Sequence, residues 1–246
     1  MQETIPLPLP FVERVRHELV RRELTVLRVD SPSPQVRRIV LGGEQLQGFV
    51  SLGFDDHVKL IFDTADGGWL GRDYTPRAYD AKTGELVIEF SLHGDGPASR
   101  WAAQAAPQQR LRLGGPKGSF IVDAQLDWHV LIGDDSAIPA IARRLEELPA
   151  SSQAIVRLLV PAAEQPALRT AAALDLQCFE DATSLLEAAR GLTLPTGRGY
   201  AWCAGEAALA AALRTVLVDE LGLDRHAVRA AAYWKRGAIG HHENLG

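Results

Sequence analysis

The amino-acid sequence predicts two domains: an N-terminal antiparallel β-barrel, followed by an α/β domain built on a parallel sheet. The first half contains short runs of β-branched, aromatic and aliphatic residues between turn signals, which is typical of antiparallel barrels. In the second half apolar strands alternate with helical segments, which is typical of a parallel sheet covered by helices. The pattern changes near residues 121–127, so we place the domains at 1–122 and 123–246.

The predicted strands of the first domain are bounded by Gly, Pro, Asp and Ser residues. They cover residues 23–29, 36–41, 57–63, 74–79 and 85–92. One helix, over residues 97–105, begins with a proline, which is favoured in the first turn.

The second domain is predicted to alternate strands with helices. Its strands cover residues 128–132, 154–160, 176–179, 200–204 and 228–234. Its helices cover residues 137–148, 182–190 and 206–221, and in the first of them Arg143 and Arg144 are expected to face solvent. Ligands favour domain interfaces and the carboxyl ends of parallel strands, so we expect the site in a cleft there.

Composition excludes several classes of protein. The chain has 246 residues, a net charge of −5 and 46% hydrophobic residues, as in an ordinary globular protein without the basic face of a nucleic-acid binder. Residues 1–11 lack the apolar core of a signal peptide, and no apolar run approaches the roughly 18 residues that span a bilayer. Cys178 and Cys203 lie in apolar stretches without metal-ligand spacing, which predicts buried free thiols in the reducing cytoplasm.

The segment RDYTPR, residues 72–77, carries the most chemical information. On a strand Arg72 and Tyr74 share a face, and Thr75 follows at the strand end. A guanidinium suits a pyrophosphate, an aromatic face suits a flat conjugated ring, and a hydroxyl can hydrogen-bond to a ring nitrogen. These are the three requirements of a bound flavin. The alternative is an exposed strand on which the tyrosine packs against the arginine stem.

A second segment, LHGDGPASRW at residues 92–101, leads from a strand into a helix through two glycines and a proline. Free N–H groups at a helix start favour an anion such as the phosphates of a dinucleotide. The alternative is a helix start that binds nothing.

Together these segments resemble the ferredoxin-reductase superfamily and, within it, the siderophore-interacting protein family of ferric-siderophore reductases. The resemblance extends from Arg22 to Trp234 and rests on an ordered set of motifs. They are DDHVKL at 55–60, RDYTPR at 72–77, HGDGPASRW at 93–101, GGPKGS at 114–119, GDDSAIPA at 133–140, AGE at 204–206 and YWKRG at 233–237.

For the first domain the resemblance implies an FAD site. Arg72 contacts the FAD phosphates, Tyr74 stacks on the isoalloxazine ring, and Thr75 hydrogen-bonds near its reactive nitrogen; Tyr74 and Thr75 are therefore the catalytic residues. The resemblance implies three further roles at the FAD site. The backbone of Gly96, Ala98 and Ser99 holds the pyrophosphate, Trp101 packs nearby, and His93 lines the pocket.

For the second domain the resemblance implies the approach of a nicotinamide. Asp134, Ser136 and Ala137 begin this domain where the nicotinamide meets the flavin; family members often have threonine at the position of Ser136. Gly205 and Glu206 lie at the same cleft, although Glu206 can equally be a first-turn acid that complements the helix dipole.

The sequence says less about the electron donor, the substrate and any metal. Lys235 and Arg236 follow the last strand and can attract anionic ferric siderophores, or can be a solvated chain end. Residues 160–165 offer an acid and no base, with Arg169 the nearest cation, which does not favour a strict NADPH preference. NADH, NADPH and a ferredoxin all stay open as electron donors. The histidines near residue 241 indicate a solvated tail rather than a metal site.

The resemblance implies an FAD-containing, NAD(P)H-dependent enzyme that reduces Fe(III) in a siderophore to Fe(II) and so releases the iron. It implies no membrane or nucleic-acid partner. Two alternatives are a general NAD(P)H–flavin oxidoreductase with another acceptor, and a non-catalytic protein that binds a flavin or a siderophore.

Overall fold

A computed structural model describes residues 12–64, 67–92, 96–237 and the backbone of 243–244. The chain divides into two compact units. The barrel unit contains Glu13–Ile121 together with Pro139–Arg143, and the sheet unit contains Val122–Ile138 and the described residues from Arg144 onward.

The barrel unit is built on a sheet of seven antiparallel strands in the order β5-β4-β8-β2-β3-β7-β6. Two further strands, β1 and β9, pair with each other, and the unit also contains α1 and residues 139–143 of the helix α2 (Ile138–Glu147). The strands and helix are β1 (Val12–Arg16), β2 (Arg21–Ser33), β3 (Val36–Gly42), β4 (Val58–Asp63), β5 (Trp69–Tyr74), β6 (Pro76–Asp80), β7 (Glu85–Ser91), α1 (Pro97–Ala103), β8 (Arg110–Gly114) and β9 (Gly118–Val122).

Alternation along these strands creates the barrel core. In β7, for example, Leu86, Ile88 and Phe90 are fully buried while the residues between them are partly exposed, as expected when successive side chains point to opposite faces. They pack against buried residues from the other strands and from α1. These include Leu24, Val26, Ile39, Leu41, Val58, Leu60, Leu111, Leu113, Ala98 and Ala102.

The sheet unit is built on five parallel strands in the order β12-β11-β10-β13-β14, to which the short β15 adds antiparallel. Every residue of β10 is buried, as expected for the central strand of a sheet covered on both faces. The elements are β10 (Trp128–Asp134), α2 (Ile138–Glu147), β11 (Gln153–Leu159), β12 (Ala173–Phe179), α3 (Ala182–Arg190), β13 (Gly199–Glu206), α4 (Ala207–Thr215), a π-helical turn (Val216–Glu220), β14 (Val228–Trp234) and β15 (Glu243–Asn244).

The predicted fold class, a barrel followed by a parallel α/β sheet, is confirmed. The predicted strand at residues 74–79 corresponds to β6 but begins two residues too early. The chain leaves β5 at Tyr74 and enters β6 at Pro76, so Tyr74 belongs to a different strand. Strands β1, β5, β8, β9 and β15 were not predicted, because they are short and several carry charged residues.

The predicted exposure of two arginines and the predicted burial of one thiol also need correction. Arg144 is only 2% exposed, and its Nη2 donates to the carbonyl of Asp123 at 2.6 Å. Arg143 is half-buried and hydrogen-bonded. Both thiols are free, but only Cys203 is buried; Cys178 is half-buried because β12 is the edge strand of its sheet.

Arg144 lies close to a second buried titratable group, the imidazole of His129 on β10. Burial, together with the positive charge of Arg144, lowers the pKa of His129 from 6.5 to about 3. The imidazole is therefore neutral at physiological pH.

Across the described residues, no helix has the length and apolar character that crossing a bilayer requires.

The lowered pKa of His129 predicts how stability depends on pH. Between pH 6.5 and about 3 the unfolded chain binds a proton at this position that the folded protein does not bind, so the free energy of unfolding falls as the pH falls. We expect His129 to cost about 2 kcal/mol between pH 7 and pH 5. Urea unfolding at several pH values should show a smaller acid loss for His129→Leu.

An exposed histidine gives the control. His226 lies at the surface beside Asp224, so His226→Leu should leave most of the acid dependence in place. Equal pH dependence of the wild type and His129→Leu would contradict the assignment.

Candidate functional site

The chain crosses between the two ends of the barrel sheet at a single residue, Thr75. β5 and β6 are the first and last strands of the sheet order, yet Tyr74 ends one and Pro76 begins the other. One residue spans only about 3.5 Å. The sheet must therefore curl until its two end strands come together here, and we call residues 72–76 the seam.

Arg72 and Tyr74 share one face of β5, as the sequence predicts. In the ladder with β4, Arg72 lies opposite Leu60 and Tyr74 opposite Val58. Leu60 and Val58 are buried in the barrel core, so the arginine and the tyrosine project on the core side of the sheet. Thr75 is itself only 6% exposed.

Tyr74 is held by aromatic packing and stays half-buried. Its ring lies 4.5 Å from the ring of Phe90, centroid to centroid, with the planes 40° apart. Phe90 also packs against Trp101 at 5.7 Å, and Trp101 packs against Phe62 at 5.7 Å. This cluster fixes one side of the tyrosine and leaves part of its ring accessible. Phe62 and Phe90 were not identified from the sequence, although both lie on predicted strands.

Arg72 is half-buried and bonds locally. Its Nη1 donates to the carbonyl of its neighbour Gly71 at 2.8 Å. Among the described residues no carboxylate lies within ion-pair distance of Arg72, so its charge is not neutralised by them. A half-buried guanidinium of this kind suits an anionic ligand.

The start of α1 has free space in front of it. Gly96 is the N-cap and makes no side-chain capping bond, Pro97 occupies the first turn, and a methyl group built on Gly96 would meet no atom within 4 Å. Ala98 is buried and Ser99 half-buried, so what they offer a ligand is backbone N–H. His93 lies outside the described residues.

The features of the barrel unit fit a flavin dinucleotide. The seam has a half-buried aromatic ring and an arginine on one face of β5, and a methyl group on Gly96 at the start of α1 would meet no atom of the described residues within 4 Å. These features suit the flat ring and the pyrophosphate of FAD.

In the sheet unit, the carboxylate of Asp134 joins the ends of three strands. Its Oδ1 accepts bonds from the amide and the hydroxyl of Ser136, at 3.0 and 2.5 Å. Its Oδ2 accepts from the amide of Glu206 at 2.8 Å and from Nε1 of Trp234 at 2.9 Å. Burial raises the pKa of Asp134, and the Ser136 bond opposes that rise. Asp134 therefore organises the carboxyl edge of the sheet, and both of its oxygens are engaged by the protein.

Two glycines permit this close approach. Gly205 has a φ of +145°, and a methyl group there would lie 2.5 Å from Oδ2 of Asp134. A methyl group on Gly133 would lie 2.4 Å from the Cβ of the fully buried Ala137. The motif residues Gly205 and Ala137 are thus explained by packing, and any ligand contact of Ala137 comes from its backbone.

Glu206 caps α4, which is the alternative that the sequence allowed. Its Oε2 accepts bonds from the amides of Ala208 at 2.7 Å and Leu209 at 3.3 Å. Its Oε1 accepts from the amide of Arg236 at 3.4 Å.

The side chains of Lys235 and Arg236 are exposed at the end of β14. Among the described residues, no group of three His, Cys, Asp or Glu side chains is arranged to hold a metal ion.

The role of Asp134 gives a stability prediction. Asp134→Ala removes the shared acceptor of the Trp234 indole and the Glu206 amide, so we expect the free energy of unfolding to fall by about 2–3 kcal/mol. Asp181→Ala removes the exposed cap of α3 and should cost only about 1 kcal/mol. Urea unfolding followed by tryptophan fluorescence compares them, and equal losses would argue against a central role for Asp134.

Comparison with known proteins identifies relatives of both units. Residues 126–237 match the family described as siderophore-interacting protein, and residues 25–70 and 67–120 match the siderophore-interacting FAD-binding domain. The NADPH-dependent ferric-chelate reductase of Escherichia coli K12 is 37% identical over 91% of this chain and 96% of its own length. The ferric vibriobactin reductase ViuB of Vibrio cholerae is 32% identical over 92% of each chain.

A solved structure agrees with these relatives. A siderophore utilization protein from T. fusca superposes with a TM-score of 0.85 and 32% identity, over 94% of this chain and 98% of its own. Sequence, fold and the FAD-compatible seam lead to one assignment: this chain belongs to the siderophore-interacting protein family.

Proposed function

We propose that this protein is an FAD-containing, nicotinamide-dependent ferric-siderophore reductase. The observation that carries the proposal is the seam, where the half-buried ring of Tyr74 and the guanidinium of Arg72 share one face of β5. Relatives that align over nine tenths of this chain are named as reductases of ferric chelates. The match to a siderophore-interacting FAD-binding domain over residues 25–120 supports the cofactor.

Each residue of the FAD site then has a distinct task. Tyr74, braced by Phe90, presents its ring to the isoalloxazine, and Arg72 neutralises the phosphates. Thr75 sets a hydrogen-bonding group against the reactive edge of the ring. The amides of Gly96, Ala98 and Ser99 bind the pyrophosphate, and Trp101 supports the cluster behind Tyr74. His93 completes the lining of this site.

The carboxyl edge of the parallel sheet binds the nicotinamide. Asp134 fixes Ser136 and the loop that follows it, and Gly205 and Glu206 shape the neighbouring strand end. With the domains divided at residues 122 and 123, the first holds FAD and the second the nicotinamide. The name of the relative from Escherichia coli supports NADPH as donor. The absence of a base in residues 160–165 keeps NADH as a second donor to be tested.

FAD, held by Arg72, Tyr74 and the amides at the start of α1, would supply the redox chemistry that links a two-electron hydride donor to one-electron reduction of two Fe(III) ions. The protein orients both partners, and it needs no acid–base dyad for this reaction. Fe(II) carries less charge than Fe(III) and binds the oxygen ligands of a siderophore more weakly, so reduction releases the iron.

The exposed side chains of Lys235 and Arg236 attract the anionic ferric siderophore. We place the reaction in the cytoplasm, where reduced nicotinamides and free thiols both persist. A ferredoxin is a further donor that the same flavin site can serve.

The proposal is tested by the absorbance of the purified protein. We expect a yellow protein that is bleached anaerobically by NADPH or NADH and recovers its colour on addition of a ferric siderophore. A quinone or cytochrome that restores the colour faster than any ferric siderophore would favour a general flavin reductase. Flavin that binds and is never reduced would make the protein non-catalytic.

Arg72 provides the matching mutational prediction. Arg72→Ala removes charge-assisted bonds to the phosphates, each worth about 1.5–3 kcal/mol, so the Kd for FAD should rise about 10- to 100-fold. Arg110→Ala is the control, because Arg110 is exposed and pairs with Glu23 on another part of the barrel sheet. The ratio of flavin to protein absorbance reports the loss; full retention of FAD by Arg72→Ala would remove Arg72 from the site.

A further inference from the structure

Behind the seam, a line of hydrogen bonds within the barrel unit runs from a buried carboxylate to the chain crossing. Asp56 is 3% exposed, and its Oδ2 accepts a bond from the hydroxyl of Ser51 at 2.9 Å. Ser51 accepts two bonds from Arg143: Nη1 donates to its hydroxyl at 2.8 Å and Nη2 to its carbonyl at 2.9 Å. Nη1 of Arg143 also donates to the carbonyl of Pro76 at 3.0 Å.

Pro76 is the residue that follows Thr75, and in β6 it is the ladder partner of Ile88 on β7. Among the described strands β5 and β6 are not ladder partners, so the two sides of the seam are not joined by strand pairing. Proline has no N–H to donate, and the pairing of β6 with β7 is irregular between Pro76 and Ala78. The bond from Arg143 therefore adds a side-chain anchor to the backbone beside an irregular stretch of the ladder.

The other end of the line is firmly anchored. Oδ2 of Asp56 also accepts from the amide of Gly53 at 3.1 Å and from the hydroxyl of Ser119 at 2.6 Å. His17 bonds in turn to Ser119, Nε2 to Oγ, at 2.8 Å. A methyl group on Gly53 would lie 2.6 Å from the carbonyl of Phe120, so this loop packs too closely to shift. Ser51 thus reaches Arg143 from a fixed position.

We propose that Arg143, held by Ser51 and Asp56, is a positioning residue of the flavin site, which sets the backbone of Thr75 and Pro76 against the reactive edge of the isoalloxazine. The inference rests on the proposed function and goes beyond it, because Arg143 acts through the backbone. A guanidinium fork that holds Ser51 and Pro76 at once fixes the distance between them, which a lysine cannot do.

The experiment compares Arg143→Met, Arg143→Lys and Ser51→Ala in the FAD-loaded protein. Arg143→Met should lower kcat for nicotinamide oxidation about 10- to 100-fold, since a misplaced reacting group costs up to about that much. KM for the nicotinamide should stay within about twofold, because Arg143 acts on the placement of the flavin edge. The visible absorbance bands of the bound FAD should shift, as their hydrogen bonds change.

The other variants separate positioning from stability. Arg143→Lys retains one donor group and should recover part of the kcat and of the wild-type spectrum. Ser51→Ala removes a single oxygen and should move kcat and the spectrum in the same direction by a smaller factor. The effect of Ser51→Ala should nearly vanish in combination with Arg143→Met, because both variants break one line of bonds.

Arg28→Met is the matched control, because Arg28 is an exposed barrel arginine paired with Glu85. It should leave kcat and the flavin spectrum unchanged. If Arg143→Met and Ser51→Ala both keep the wild-type flavin spectrum and kcat, the inference is overturned. It is also overturned if kcat falls only as far as thermal stability falls, and by the same factor in Arg28→Met as in Arg143→Met. Failure of the proposed function is distinguishable, because the wild type itself would then bind no FAD or reduce no ferric chelate.

Discussion

The single-residue crossing at Thr75 is the constraint on which the barrel depends. Seven strands must curl far enough for the first and last of them to be joined by one residue. In the described sheet β5 is an end strand that pairs only with β4, and the curl brings its Arg72 and Tyr74 to the crossing on one face. A position of this kind is where a cofactor can contact backbone without competing with a ladder. The barrel therefore creates the site by the way it closes.

The sheet unit is organised around the carboxyl ends of its parallel strands. Parallel strands end together and leave polar backbone groups at one edge. Here one buried carboxylate collects donors from the ends of β13 and β14 and from the turn after β10, and glycines remove the side chains that would block it. Asp134 consequently has a structural role, because both of its oxygens accept hydrogen bonds from the protein itself.

Much of this architecture could be predicted from the sequence. Alternation identified the barrel strands and the change of period identified the second unit, because both patterns are local. The seam was not predicted: residues 74–79 were predicted as one strand, and only the sheet order shows that Thr75 lies between strands at its two ends. The pairing of Arg143 with Ser51 and Pro76 spans 92 and 67 residues, and no local pattern encodes such contacts. Arg144 was expected to face solvent because a charged residue in a helix usually does, but it is buried and bonds to the carbonyl of Asp123 and the carboxylate of Glu147.

The indole of Trp234 reaches back across 100 residues to Asp134. During synthesis on the ribosome, β10 emerges long before β14. The carboxylate of Asp134 can therefore bond to the indole of Trp234 only after the last parallel strand has left the exit tunnel. This edge of the sheet is thus completed late, after the barrel strands have all been made. Under the proposed function, a nascent chain would gain its flavin pocket before it gains the means to reduce the flavin.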